Sequence, residues 1–208
     1  MNNCDLENFV KKTCDKAGRD PSHGYEHMKQ VYANSMIICK MMKIKDPYIL
    51  KMVTIVSWLH DVFDHKYDFD GKLKNRVNEF LESHYKPKDI KLILDIIERI
   101  SFSKENKVRI NNQQLDWIEV LGEKGVLIRN IVSDADKLEA IGKEGINRCI
   151  MYTKECNENI SDDELINNVK KHADEKLLRL KDEFIRTEAG KQLAQPLHEE
   201  MKNMLENM

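Results

Sequence analysis

The chain has 208 residues, 41% of them hydrophobic, and its 34 basic side chains nearly cancel its 36 acidic ones, for a net charge of −2. That length suits a single domain, 1–208, with a sizeable core. The near-neutral balance excludes a protein that coats a nucleic-acid polymer, which would carry a basic excess.

In chain order, the N-terminus MNNCDLENFVKKTCDKAG has no basic region leading into an apolar stretch, so no signal peptide is read there. A helix opens near the capping-type sequence DPSHG and carries the stripe Met28, Val31, Tyr32, Ser35, Cys39 and Met42. Asp46-Pro47 then reads as an N-cap followed by proline at the first helical position. The helix it starts, about 47–62, is apolar on almost every side through Ile49, Leu50, Met52, Val53, Ile55, Val56, Trp58 and Leu59, which puts it at the centre of the fold. Its apolar run is interrupted by Lys51 and is too short to span a bilayer.

The segment HKYDFDGK reads as a loop, and helices are expected over about 73–84, 87–100 and 112–121, with GEKG at 122–125 as a turn. Another follows over about 136–155, whose Gly142 and Gly145 lie on the packed face and imply close helix approach. A charged helical segment covers about 162–205, in which Pro196 is expected to kink or break the helix. No stretch alternates with period two, so the fold class is all-α: a core over about 20–155 and a charged C-terminal helical segment over about 160–208. The five cysteines are odd in number and contain no C-x-x-C, which fits reduced thiols in a cytoplasmic protein.

Histidines and acids gather in three places: His23 and His27 in SHGYEH; His60, Asp61, Asp64 and His65 in HDVFDH; Asp134 and Asp136 in SDADKLEA. On a helix Asp61 stands about 100° around from His60, and Asp64 is one turn beyond it, so all three can face one cavity. Two imidazoles and two carboxylates drawn from three helices make a mixed N/O set suited to a borderline or hard divalent ion such as Mn²⁺, Fe²⁺, Co²⁺ or Ni²⁺. Such an ion lowers the pKa of bound water and polarises a P–O bond.

The ordered set HGYEHMKQV, WLHDVFDHKY, ISFSKE and VSDADKLEAIGKEGINR resembles the HD-domain metal-dependent phosphohydrolase superfamily, and within it the small stand-alone members that hydrolyse nucleotides. The resemblance implies a compact helical bundle and one divalent transition metal, manganese preferred, with cobalt, nickel, iron or magnesium as substitutes. By position it makes His27, His60, Asp61 and Asp136 the metal ligands. Asp136 is preferred to Asp134 because the family's last ligand directly precedes a basic residue and leucine. It implies that Asp64 moves protons, beside Asp61 as a second catalytic group, while His23 and Asp134 orient ligands from behind. Lys66 and Arg148 are the cations expected near substrate phosphates, with Ser101 and Ser103 in a pocket loop. Two places depart from the family pattern: Gln30 stands where arginine is more common, and Pro196-Leu197 precedes His198.

The function implied is hydrolysis of a phosphorylated small molecule, with (d)NTP cleavage to monophosphate and pyrophosphate leading. Nucleoside monophosphate dephosphorylation and phosphodiester cleavage are the alternatives, and a non-catalytic nucleotide-sensing module is a reading of another class. No membrane or nucleic-acid partner is expected. A homodimer is compatible with the class, although no apolar stripe is set aside for it.

Overall fold

A computed structural model describes residues 3–18, 24–63, 68, 70–157 and 159–208. Among these there is no strand, and the fold is all-α. The chain divides into two compact units, Met1–Ser133 and Asp134–Met208.

In the first unit α1 (Asn3–Lys16), α2 (Tyr25–Met41) and α3 (Pro47–Leu59) come first. The start of α3 follows from its sequence: the Asp46 carboxylate accepts from the Tyr48 amide at 2.9 Å, and Pro47 occupies the first turn. Met52, Val53, Ile55, Val56, Trp58 and Leu59 are all buried, so α3 is the central helix, packed against α1, α2 and α5 (Pro87–Ile97). It ends at Leu59, with His60 as its C-cap, one turn short of the expected boundary. α4 (Lys72–Glu82) lies on α5 and completes the first half of the chain.

Three expectations are corrected beyond α5. Residues 101–103 are not a loop: Ser101 stands at the N-cap position of α6 (Phe102–Ile110), without a capping bond from its side chain, and Ser103 is exposed in the first turn. Residues 112–116 are not helical. Asn112 takes a left-handed conformation with φ of 52°, which asparagine tolerates and which ends a helix. The third concerns α7 (Trp117–Leu138), which absorbs GEKG instead of being separated by it. Beyond a sharp bend at Gly122 (φ 64°, ψ 172°) the helix is continuous, because Ile128, Ile131, Val132, Ala135 and Leu138 keep helical spacing and are all buried. Asp136 therefore lies near the end of α7, not at the start of the next helix.

The second unit contains the last five residues of α7, then α8 (Gly142–Cys156), α9 (Asp162–His172), two π-helical stretches (Ala173–Leu177 and Leu180–Phe184) and α10 (Glu188–Glu206). α8 packs on α9 and α10. The close approach expected at Gly145 is real, but to the preceding turn: a Cβ there would stand 2.1 Å from the Ala140 carbonyl oxygen. The charged segment from 162 is not one helix. It is interrupted at Ile185–Thr187, where a new helix starts with the Thr187 hydroxyl accepting from the Gly190 amide at 2.9 Å. Pro196 does not break α10. Its place is solvent-exposed, as is Gln192 one turn earlier, so water can satisfy the carbonyl that proline leaves without a donor.

Candidate metal centre

Aromatic stacking and one hydroxyl pair hold the ends of α2 and α3 together. Trp58, fully buried, lies between Tyr25 (ring centroids 5.8 Å apart) and Tyr32 (5.5 Å), both near parallel to it. Tyr25 is itself held from α1, its hydroxyl donating to Glu7. That hydrogen bond, with burial, pushes the phenol up to about 12. One turn below, the buried hydroxyls of Ser57 and Ser35 bond at 2.9 Å across the two helices. His27, two residues after Tyr25, and His60, two after Trp58, are thereby brought side by side, with ring centroids 5.2 Å apart and planes tilted by 60°.

The His60 ring is oriented further by its Nδ1, 2.9 Å from the Ser57 carbonyl oxygen. A carbonyl only accepts, so Nδ1 carries the proton and the lone pair is on Nε2, the tautomer that suits a metal ligand.

α7 brings Asp136. One donor atom each of His27, His60 and Asp136 lie within 4.8 Å of one another, the one such group of acids, histidines and cysteines among the described residues. Two nitrogens and a carboxylate oxygen are the chemistry of a borderline divalent cation. Asp61 follows in the turn after His60, half-buried, and is not among the three converging donors.

Asp134 has a different occupation. It is fully buried, its Oδ1 accepts from the Arg186 amide at 2.8 Å, and its Oδ2 accepts from the amide and the hydroxyl of Thr187, each at 2.7 Å. Burial pushes its carboxyl above the ordinary range, against the pull of these donors and of Lys137. Both oxygens are engaged in tying α7 to the start of α10.

Arg148 on α8 is paired with Glu139 at 3.3 Å, and is about one-third exposed. Ser101 is half-buried at the head of α6. His23, Asp64, His65 and Lys66 lie outside the described residues. The sequence reading passes over a buried ion pair, Arg129–Glu105. Its one signal is a lone arginine in the otherwise apolar run VLIRNIV.

No family model matches the sequence, and no curated protein matches it. Solved structures do. A HD-superfamily hydrolase from Bacillus thuringiensis aligns with a TM-score of 0.67 at 24% identity, over 99% of this chain and 93% of the other. A Lactobacillus plantarum protein aligns with a TM-score of 0.74 at 23% identity, over 99% and 93%. YpgQ from Bacillus subtilis, crystallised in complex with ADP, aligns with a TM-score of 0.67 at 21% identity, over 99% and 92%. The chain has the fold of these proteins. No helix among the described residues is long and apolar enough to cross a membrane.

Proposed function

From a fold shared with an HD-superfamily hydrolase, we propose that this chain is a metal-dependent phosphohydrolase acting on nucleotides. The observation that carries the reading is the convergence of His27, His60 and Asp136 within 4.8 Å. These three, with Asp61 as the fourth ligand, hold one divalent transition metal, manganese preferred. When bound, that ion supplies Lewis acidity toward a phosphoryl oxygen and makes water a better nucleophile.

The chain's own residues do the rest. His60, its Nδ1 proton held by the Ser57 carbonyl, offers Nε2 as the ligand atom. Asp64 transfers protons to or from the reacting oxygens. Lys66, and Arg148 steadied by Glu139, meet the phosphates and stabilise charge that develops as the P–O bond breaks. Ser101 offers a hydroxyl to the same ligand from the head of α6. The nucleotide class is supported by YpgQ, a protein of this fold crystallised with ADP. Cleavage of a (d)NTP to the monophosphate and pyrophosphate is the leading reaction.

The test is a panel of nucleoside mono-, di- and triphosphates and cyclic nucleotides with Mn²⁺, Mg²⁺, Co²⁺ and Ni²⁺, separating orthophosphate, pyrophosphate and nucleoside among the products. Pyrophosphate from triphosphates with Mn²⁺ is expected. No release from any nucleotide with any ion would overturn the enzymatic reading.

A further inference from the structure

α7 carries Asp136, and seven residues earlier it carries Arg129. Seven residues is close to two turns, so the two side chains leave the same face of the helix about 10 Å apart along its axis. The Arg129 side chain is fully buried and held by directional contacts. Nε donates to the Arg99 carbonyl at 2.8 Å, Nη1 to the Asn130 side chain at 3.2 Å, and Nη2 to Glu105 Oε2 at 2.5 Å. The guanidinium carbon lies 3.7 Å from the centroid of the Trp117 ring. On an unbroken helix Trp117 and Arg129 would be about 18 Å apart. The bend at Gly122 turns the chain back so that the indole covers the charge.

Burial of a guanidinium–carboxylate pair is a poor way to add stability, because desolvation offsets most of the attraction. It is a good way to set a register. Ile128, Ile131 and Val132 are buried and decide which side of α7 faces inward, yet apolar contacts of this kind tolerate sliding along the axis. A planar fork bonded to two fixed oxygens does not. Both oxygens belong to the neighbouring segment, Arg99 just past the end of α5 and Glu105 in α6.

We propose that Glu105 and Arg129 form a positioning clamp that sets the axial register of α7 and hence where Asp136 presents its carboxylate. The proposal rests on the reading of Asp136 as a metal ligand and adds two residues that no motif includes. Neither touches substrate or metal; they act through the helix.

The experiment is Mn²⁺ titration of the full chain by calorimetry, well below the melting temperature, with Tm measured alongside. The double variant E105L/R129M replaces the pair by apolar side chains. It is expected to melt no lower than wild type and to bind Mn²⁺ about tenfold more weakly. Asp116→Asn, which breaks the more exposed bidentate pair of Asp116 with Arg99, is expected to leave Mn²⁺ affinity unchanged. Should the double variant fail to fold, Arg129→Lys keeps the charge but loses the fork and the stacking, and is expected to weaken Mn²⁺ binding in the same direction. Wild-type affinity in whichever of the two is folded overturns the clamp alone. If wild type binds no Mn²⁺, or Asp136→Ala binds it as wild type does, the metal reading falls and the clamp with it.

Discussion

Asp134→Ala tests how the end of α7 is held. The carboxylate receives three donors: the Arg186 amide at 2.8 Å, and the Thr187 amide and hydroxyl at 2.7 Å each. The hydroxyl can turn elsewhere, and the Arg186 amide is only partly buried, so the dominant loss is the Thr187 amide stranded in the interior. A buried donor left without an acceptor costs about 1–3 kcal/mol, and a partly buried one less. Against this, the variant escapes the desolvation of a buried carboxylate, which pushes the Asp134 carboxyl up in the folded protein. The balance is a loss of about 3 kcal/mol, or a fall in Tm of roughly 6–12 °C for a chain of this size. Thermal and urea unfolding followed by circular dichroism at neutral pH measure it. Gly190→Ala attacks the same contact from the other side, because its Cβ would stand 2.7 Å from Asp134 Oδ2 and 2.9 Å from Thr187 Oγ1. With Asp134 removed much of that clash disappears, so the double variant should lose less than the sum of the single losses. An Asp134→Ala protein within about 0.5 kcal/mol of wild type would refute the reasoning, since that is the range of substitutions touching nothing.

Asp61→Ala and Asp136→Ala should each abolish Mn²⁺-dependent hydrolysis with the helical circular dichroism spectrum unchanged; activity at the wild-type rate in either, with Mn²⁺ supplied, would contradict the assigned ligands. Gly122→Ala should lower stability by about 1–3 kcal/mol in urea unfolding, because φ 64° with ψ 172° is a region open essentially to glycine alone. Space is not the issue there, since an added Cβ meets nothing within 4 Å. His198 is buried, and its pKa is lowered first by that burial and then by Lys202 and Lys181, with Asp182 and Glu199 opposing. A folded value below the unfolded one means the stability His198 contributes is fully present above about pH 6.5, the unfolded value, and is lost as the pH falls from there through the lower folded value. Tm of wild type should therefore fall more steeply than Tm of His198→Gln between pH 7 and 5, and equal slopes would count against it.

The all-α class and the central helix were legible because their signals are local. Pro47 behind Asp46 marks a helix start by backbone geometry alone, and an apolar surface on almost every side of residues 49–59 puts α3 at the centre. His27, His60 and Asp136 were legible as spaced motifs although they come from three separate helices. What stayed hidden depends on partners distant in sequence. Nothing near Arg129 says that Glu105 and the Arg99 carbonyl will receive its donors, and nothing near Asp134 says that the start of α10 will. GEKG resists local reading for another reason. Two glycines so close look like a turn, yet only Gly122 adopts positive φ, and the buried spacing from Ile128 to Leu138 carries the helix on.

The continuation of α7 to Leu138 changes the electrostatics expected of the proposed metal centre. An aspartate at the start of a helix would sit at the positive end of the backbone dipole, which opposes a cation. In the structure Asp136 is two residues from the end of α7, and His60 is the C-cap of α3. Both stand where unpaired carbonyls give a helix its negative end, an effect equivalent to roughly half an elementary charge that fades within one turn. Only His27, in the first turn of α2, comes from a positive end. Two of the three helices therefore add backbone negative potential to the single carboxylate of the converging set. In the proposed site, where Asp61 is the fourth ligand, this contribution adds to that of the two carboxylates and favours a doubly charged ion.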